Sequence, residues 1–275
     1  MDLVKKVVVM TAAGNGIGRE VALEFARRGA RMVLSDRDGD SAARVAQEIT
    51  DAGGDAQSMA CDVSNDGDVA ALAGAAQLVG PVDVLMNHAG VAAAGPVEQI
   101  PLDDWRWVFE VNVLGIARTL KAFLPGMLAR GSGLVINTSS SLGLFPEVPI
   151  ALPYIATKAG IVGMSEALFL SCAPAGVRVM VLAPDITETN FHFAGRMTGI
   201  DPAVAAAALP LSLQQPPKAV SDALFSAIED GRFLATNVND VARLLRERAD
   251  ALYEPKLRAY PQLAPAIAAM AKAST

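Results

Sequence analysis

Histidine and cysteine are almost missing from this chain, whose 275 residues hold two of each. Cys61 and Cys172 have no CxxC or CxxH companions, so the spacing offers neither a disulfide framework nor a zinc site, and no metal is expected. Basic charge is also short. With 23 Lys and Arg against 29 Asp and Glu the net charge is −6, which removes the electrostatic footprint of a nucleic-acid or anionic-membrane binder. No apolar run reaches the roughly 18 residues that a membrane span needs. The opening Met1-Asp2-Leu3-Val4-Lys5-Lys6 carries no signal-peptide pattern, so a cytoplasmic location is expected. No Pro/Gly/Ser-rich linker or break in composition divides the chain, and its length suits one large core.

What the chain does have is apolar bulk: 52% of residues are hydrophobic and only 19% charged. Short runs alternate with longer helical patterns, namely Val7–Met10, Met32–Leu34, Val82–Met86, Leu134–Ile136 and Val177–Leu182. After the first run, Ile17, Val21 and Phe25 recur at helical spacing, and Gly29 stops the helix before the next run begins. Continuous rather than alternating hydrophobicity in the strands implies a parallel sheet covered by helices on both faces. The fold class predicted is α/β, a doubly wound (Rossmann) sheet of about seven strands. Beyond residue 185 the order loosens, and Phe191, Phe193, Met197 and an apolar run at Ala203–Leu209 mark residues 185–217 as a candidate lid.

Tyr154 and Lys158 stand four positions apart, so a phenol and an ammonium share one helix face. The positive charge of Lys158 is expected to favour the phenolate of Tyr154, giving acid–base chemistry without histidine. The turn after the first strand, Thr11-Ala12-Ala13-Gly14-Asn15-Gly16-Ile17-Gly18, lets backbone and a helix N-terminus approach a pyrophosphate. Its G-x-G-x-G spacing misses the G-x-G-x-x-G fingerprint. Asp36, at the end of the second strand, could accept both adenosine ribose hydroxyls and would repel a 2′-phosphate. Arg37 beside it could bind that phosphate, or be a solvated loop charge.

These residues, taken in order, resemble the short-chain dehydrogenases/reductases over roughly Lys5 to Arg248. The family turn T-G-x-x-x-G-x-G is matched by Thr11, Gly16 and Gly18, with Ala12 where glycine is usual, and Asn15 and Ile17 fall inside it. Asp62-Val63 matches the pair that contacts adenine, and Asn87-His88-Ala89-Gly90 matches N-N-A-G with histidine replacing the second asparagine. Asn112 matches the helix asparagine of the catalytic tetrad. Asn137-Thr138-Ser139-Ser140-Ser141-Leu142-Gly143 matches N-x-S-S-x-x-G, which selects Ser140. Tyr154 and Lys158 complete the set. Pro184-Asp185 replaces the usual Pro-Gly, while Ile186, Thr187 and Thr189 fit the positions that reach the carboxamide. A domain over residues 1–252 is implied, followed by an extension over 253–275 beyond the family's common end.

The resemblance implies that Tyr154 exchanges a proton with the substrate oxygen, that Ser140 orients that oxygen, and that Lys158 holds the nicotinamide ribose and lowers the tyrosine pKa. Asn112 would hold a water linking Lys158 to solvent. The expected protein is an NAD-dependent oxidoreductase interconverting a secondary alcohol and a ketone on an apolar alicyclic, aryl or steroid-like substrate. Leu142, Leu144, Phe145, Phe191 and Phe193 are the expected substrate contacts. Alternatives are an NADPH-dependent ketoreductase, resting on Arg37, and a non-catalytic dinucleotide sensor. His88 reads as a core or turn histidine. A homotetramer or homodimer, assembled through helices starting near Asp103 and Pro153, is implied as well.

Overall fold

All five apolar runs lie in one sheet. The computed structural model describes residues 1–148, 150–189, 195–199 and 214–253. Its seven-stranded sheet comprises β1 (Val7–Thr11), β2 (Arg31–Asp36), β3 (Asp55–Ala60), β4 (Val82–Asn87), β6 (Gly133–Thr138), β7 (Val177–Leu182) and β9 (Leu234–Ala235). The spatial order is β3-β2-β1-β4-β6-β7-β9, every pairing is parallel, and Met10 aligns with Leu34 on one side and Met86 on the other. A separate two-stranded ribbon pairs β5 (Ala93–Ala94) with β8 (Arg196–Met197).

Strand residues alternate between two apolar layers. Val8, Met10, Met32, Leu34, Met86 and Ile136 face α1 (Gly16–Arg27), α2 (Gly39–Asp51) and the helix Pro217–Asp230, where Phe25 meets Phe225 edge-on at 4.7 Å. Val7, Val9, Val33, Leu85 and Val135 face α3 (Asp66–Val79), α5 (Gly115–Arg130) and α7 (Leu152–Cys172). Burial on both faces is the reason these strands read as unbroken apolar runs. Side-chain caps start α2 and α3: Asp38 accepts from the amides of Asp40 and Ser41, and Asn65 from those of Gly67 and Asp68.

A short helix α4 (Leu102–Phe109) runs through a π-turn (Glu110–Leu114) straight into α5, and α6 (Ser141–Leu144) precedes α7. Leu152–Ala175 is apolar and long enough to cross a membrane by length and composition, yet its helix packs on β7 as a crossover. Its outward residues Phe169 and Leu170, with Leu102, Phe109 and Leu114 near α4, leave large apolar side chains exposed.

Leu144 and Phe145 depart from expectation. Each is only 5% exposed, packed with Val181 and Ala183 against Phe233, Val238 and Leu244, so they form core rather than a substrate wall. The proposed lid over 185–217 falls largely outside the described residues, as do Phe191, Phe193 and the chain after Tyr253.

Candidate active site

The carboxyl ends of β1 and β2 build the first half of the site. At Gly14 an added Cβ would lie 1.9 Å from Ser41 Oγ and 2.9 Å from Asp36 Oδ2, so backbone and carboxylate can meet only where a side chain is missing. Asp36 Oδ2 accepts from the Gly14 amide at 3.0 Å and Oδ1 from the Asp38 amide at 3.0 Å, which fixes the carboxylate against the turn. Gly16 has φ +52°, and a Cβ there would lie 2.9 Å from Thr189 Cγ2, so the stretch after β7 closes onto this turn. Helix α1 starts beneath it without a side-chain cap from Asn15 and without an acidic residue in its first turn. Uncapped amides at a helix N-terminus, lined by glycine and flanked by a ribose-ready carboxylate, fit a dinucleotide pyrophosphate and its adenosine. Arg37 is exposed and makes no ion pair among the described residues.

Ala12 sits at φ +53°, in the left-handed region that favours glycine. That conformation is the physical reason a glycine is usual at this position. The hydroxyl of Thr11 accepts from the amides of His88 at 3.0 Å and Ala89 at 3.1 Å, tying the end of β1 to the end of β4. Asp62 Oδ1 accepts from the Ser64 amide and hydroxyl, and Val63 packs on Gly115.

The second half forms where β6 leads into α7. The extended backbone at Ser140 sends successive serines to opposite sides. Ser139 Oγ donates to the Lys158 carbonyl at 2.7 Å, whereas the Ser140 hydroxyl is hydrogen-bonded to Tyr154. Lys158 Nζ lies 5.5 Å from the Tyr154 ring centre and donates to the Thr138 carbonyl at 2.9 Å. Asn112, in the π-turn, accepts from the Val91 amide at 2.8 Å and donates to the Val91 carbonyl at 2.9 Å and to Thr157 Oγ1 at 3.0 Å. Two donors and one acceptor spent on tertiary partners account for a π-turn that no local sequence signal announces.

Burial governs ionisation here. It pushes the Tyr154 phenol up to about 12, which the Ser140 hydrogen bond only partly offsets, and it pulls the Lys158 ammonium down to about 7. The expected lowering of Tyr154 by Lys158 is therefore corrected: burial raises the phenol, and what opposes it is the Ser140 hydrogen bond. Burial and the nearby Lys158 lower His88 to about 4, so it is neutral near pH 7, with Nδ1 3.2 Å from Thr138 Oγ1. Near Asp185, burial raises Glu147 and so, secondarily, does the charge of that aspartate. Glu147 escaped the sequence reading because it lies in no motif.

The structure gathers Asn112, Ser140, Tyr154 and Lys158 around one point, with Gly90 packed between Lys158 Nζ and Asn112 Oδ1. Thr187 anchors its own turn by donating to the Asp185 carbonyl at 2.7 Å, and the Ile186 carbonyl accepts from Gln215. The Pro184 carbonyl accepts from the Ser141 amide. Asn87 behaves differently from its motif. Its side chain is 3% exposed and belongs to a buried ladder: Thr119 Oγ1 donates to Asn87 Oδ1 (2.6 Å), Asn87 Nδ2 to Asn137 Oδ1 (2.8 Å), and Asn137 Nδ2 to Ser165 Oγ (2.9 Å).

The glycine cradle and the acid–base cluster open on the same edge of one parallel sheet, the layout of a nicotinamide-dependent oxidoreductase. Residues 6–196 match the profile described as short chain dehydrogenase, and the chain belongs to that family. It is 35% identical over 187 residues to a "Putative ketoacyl reductase" of Streptomyces coelicolor, covering 67% of this chain and 71% of that one. It is 34% identical over 222 residues to the "Cis-4-hydroxycyclohexanecarboxylate dehydrogenase" of Sinomonas cyclohexanicum, covering 80% and 88%. Among solved structures, a short chain dehydrogenase/reductase from Burkholderia phymatum in complex with NAD superposes with a TM-score of 0.80 at 29% identity, covering 92% of this chain and 96% of that one.

Proposed function

We propose that the protein is an NAD-dependent dehydrogenase that interconverts a secondary alcohol and a ketone on an apolar, alicyclic or aryl substrate, with Tyr154 as general acid and base. The observation that carries this reading is the hydroxyl pair of Ser140 and Tyr154 lying beside the Lys158 ammonium, next to the glycine cradle. The relative named for a hydroxycyclohexane carboxylate supports an alicyclic alcohol.

The amides of Asn15, Gly16 and Ile17 would hold the pyrophosphate and Asp36, itself fixed by the Gly14 amide, the adenosine ribose, with Asp62 and Val63 at the adenine. Ala89, Gly90, Pro184, Ile186, Thr187 and Thr189 would line the nicotinamide end. NAD, when bound, supplies the hydride acceptor for alcohol oxidation. Tyr154 Oη takes the proton of the substrate hydroxyl, or gives it back to a ketone, while Ser140 Oγ hydrogen-bonds the same oxygen and fixes its direction. Lys158 is held against the Thr138 carbonyl, and below about pH 7, where it keeps its proton, its charge supports the tyrosinate as it forms. Because burial keeps the Tyr154 phenol protonated at neutral pH, the cluster favours ketone reduction there, and alcohol oxidation gains as pH rises.

An NADPH-dependent ketoreductase is the second reading, favoured by the exposed Arg37 beside Asp36, which makes no ion pair among the described residues. The exposed apolar side chains of α4 and α7 support a homo-oligomer through those helices. Initial rates with each nucleotide over alicyclic, aryl and steroid alcohols test the reaction. Tyr154→Phe should lower kcat by about 10²–10⁴ with nucleotide affinity nearly intact. Activity within a few-fold of the parent would remove Tyr154 from the mechanism.

A further inference from the structure

The small ribbon β5·β8 is gripped on both strands by one continuous helix. On the β5 side, Asn112 in the π-turn holds both the amide and the carbonyl of Val91, two residues before Ala93. On the β8 side, the Arg196 guanidinium donates to Asp104 Oδ1 at 2.7 Å and lies 4.0 Å from the centre of the Trp107 ring, both residues of α4. Asp104 is 13% exposed and Arg196 49%, so the pair is shielded on the carboxylate side. The strands themselves join through the Arg196 amide to the Ala92 carbonyl and the Thr198 amide to the Ala94 carbonyl, each 3.0 Å. Just past β5, the Gly95 amide donates to the Ile150 carbonyl at 2.8 Å, four residues before Tyr154.

We propose that Arg196 is a positioning residue for substrate, acting through this ribbon on the wall beside Tyr154; the inference rests on the alcohol–ketone reading above. Two-residue strands cannot hold themselves in place, since so few hydrogen bonds do not repay the ordering of the chain. The grip of Asp104 and Trp107 supplies what the ribbon lacks, combining an ion pair with a guanidinium stacked on an aromatic face. Among the described residues the ribbon makes no hydrogen bond to the glycine turn or to Asp36, so its loosening should reach the substrate and leave the dinucleotide alone.

The test uses the full chain with Arg196→Ala, Arg196→Lys and Asp104→Asn. Hydrogen exchange in peptides spanning Ala93–Gly95 and Arg196–Thr198 should accelerate at least about tenfold in Arg196→Ala and Asp104→Asn. Protection of the seven-stranded sheet should stay as in the parent. With cyclohexanol as probe, KM should rise about fivefold while kcat and the KM for NAD stay within about twofold. Arg196→Lys, which keeps the ion pair but not the planar stack, should fall between parent and Arg196→Ala. Unchanged exchange at the ribbon, or an unchanged cyclohexanol KM, overturns the proposal. Should the parent oxidise no alcohol, the oxidoreductase reading fails separately, and the exchange rates alone decide whether the clasp exists.

Discussion

Ser139 and Ser140 are adjacent in sequence and opposite in what they touch, and this allows their effects to be separated. Ser139 Oγ is buried and spends its proton on the Lys158 carbonyl at 2.7 Å. Replacing it with alanine removes one buried hydrogen bond, worth about 0.5–1.5 kcal/mol, and touches no reacting group. In a domain of this size each kcal/mol shifts Tm by about 2–4 °C, so Ser139→Ala should lower Tm by a few degrees and leave kcat within about threefold. Ser140 gives the reverse pattern. Its hydroxyl is bonded to Tyr154 and accepts only a long 3.2 Å contact from the Leu142 amide, so little stability depends on it. Loss of a hydrogen-bond donor aimed at a substrate oxygen typically costs about 10²–10³ in kcat. Steady-state rates at saturating NAD, run beside thermal unfolding followed by circular dichroism, would record both quantities on each variant. The reasoning is refuted if Ser139→Ala loses more kcat than Ser140→Ala, which would mean that the catalytic serine is one place earlier.

Three further outcomes concern Asp36, Ala12 and His88. With Asp36 at the ribose as proposed, kcat/KM should favour NAD over NADP by at least about tenfold, roughly 1.4 kcal/mol, and Asp36→Ala should narrow the gap; equal values in the parent would put Arg37 in control. Ala12 at φ +53° carries about 1 kcal/mol of left-handed strain, and Ala12→Gly should raise Tm by about 2–4 °C; an unchanged Tm would mean that the gain in unfolded-chain freedom cancels the relief. His88 is lowered to about 4 from an ordinary 6.5. The unfolded chain therefore takes up a proton that the folded chain refuses as pH falls through that window, and stability should drop by on the order of 2 kcal/mol between pH 7.5 and 5. In His88→Asn that part of the slope should vanish from denaturant titrations, whereas parallel slopes for parent and variant would show that the histidine is not what titrates.

The central strands were legible because each is buried on both faces and reads as an uninterrupted apolar run, as in Val82–Met86. The edge strand β3, Asp55–Ala60, was not legible, since none of its residues is fully buried and only Ala56 and Met59 reach the core, too few to read as an apolar run. The β5·β8 ribbon was equally invisible, its two-residue strands depending on partners about a hundred positions away. In the site, Asn112, Ser140, Tyr154 and Lys158 lie close together, and the roles that the resemblance implies for them are what the proposed variants test. What order along the chain could not convey was direction. Leu144 and Phe145 follow the N-x-S-S-x-x-G match yet turn into the core, and the Asn87 side chain turns into the ladder. The sign of the Tyr154 shift was missed because a charge four residues away is visible in a sequence, whereas the loss of solvent around both groups is a property of the folded pocket.

The Thr119–Asn87–Asn137–Ser165 ladder constrains how this protein can be recombined with its relatives. Each amide in it gives one hydrogen bond and receives another, so the donors all point the same way, from α5 through β4 and β6 to α7. A leucine at Asn137 would strand the Asn87 amide and the Ser165 hydroxyl, one at Asn87 would strand the Asn137 oxygen while Thr119 keeps the Ile116 carbonyl, and an aspartate at either would reverse one link into a clash of acceptors. A chimaera whose crossover falls between residues 88 and 118 takes Asn87 from one parent and its three companions from the other. Such hybrids should fold only when both parents carry the same four side chains, and crossovers before Asn87 or after Ser165 should be tolerated far more widely.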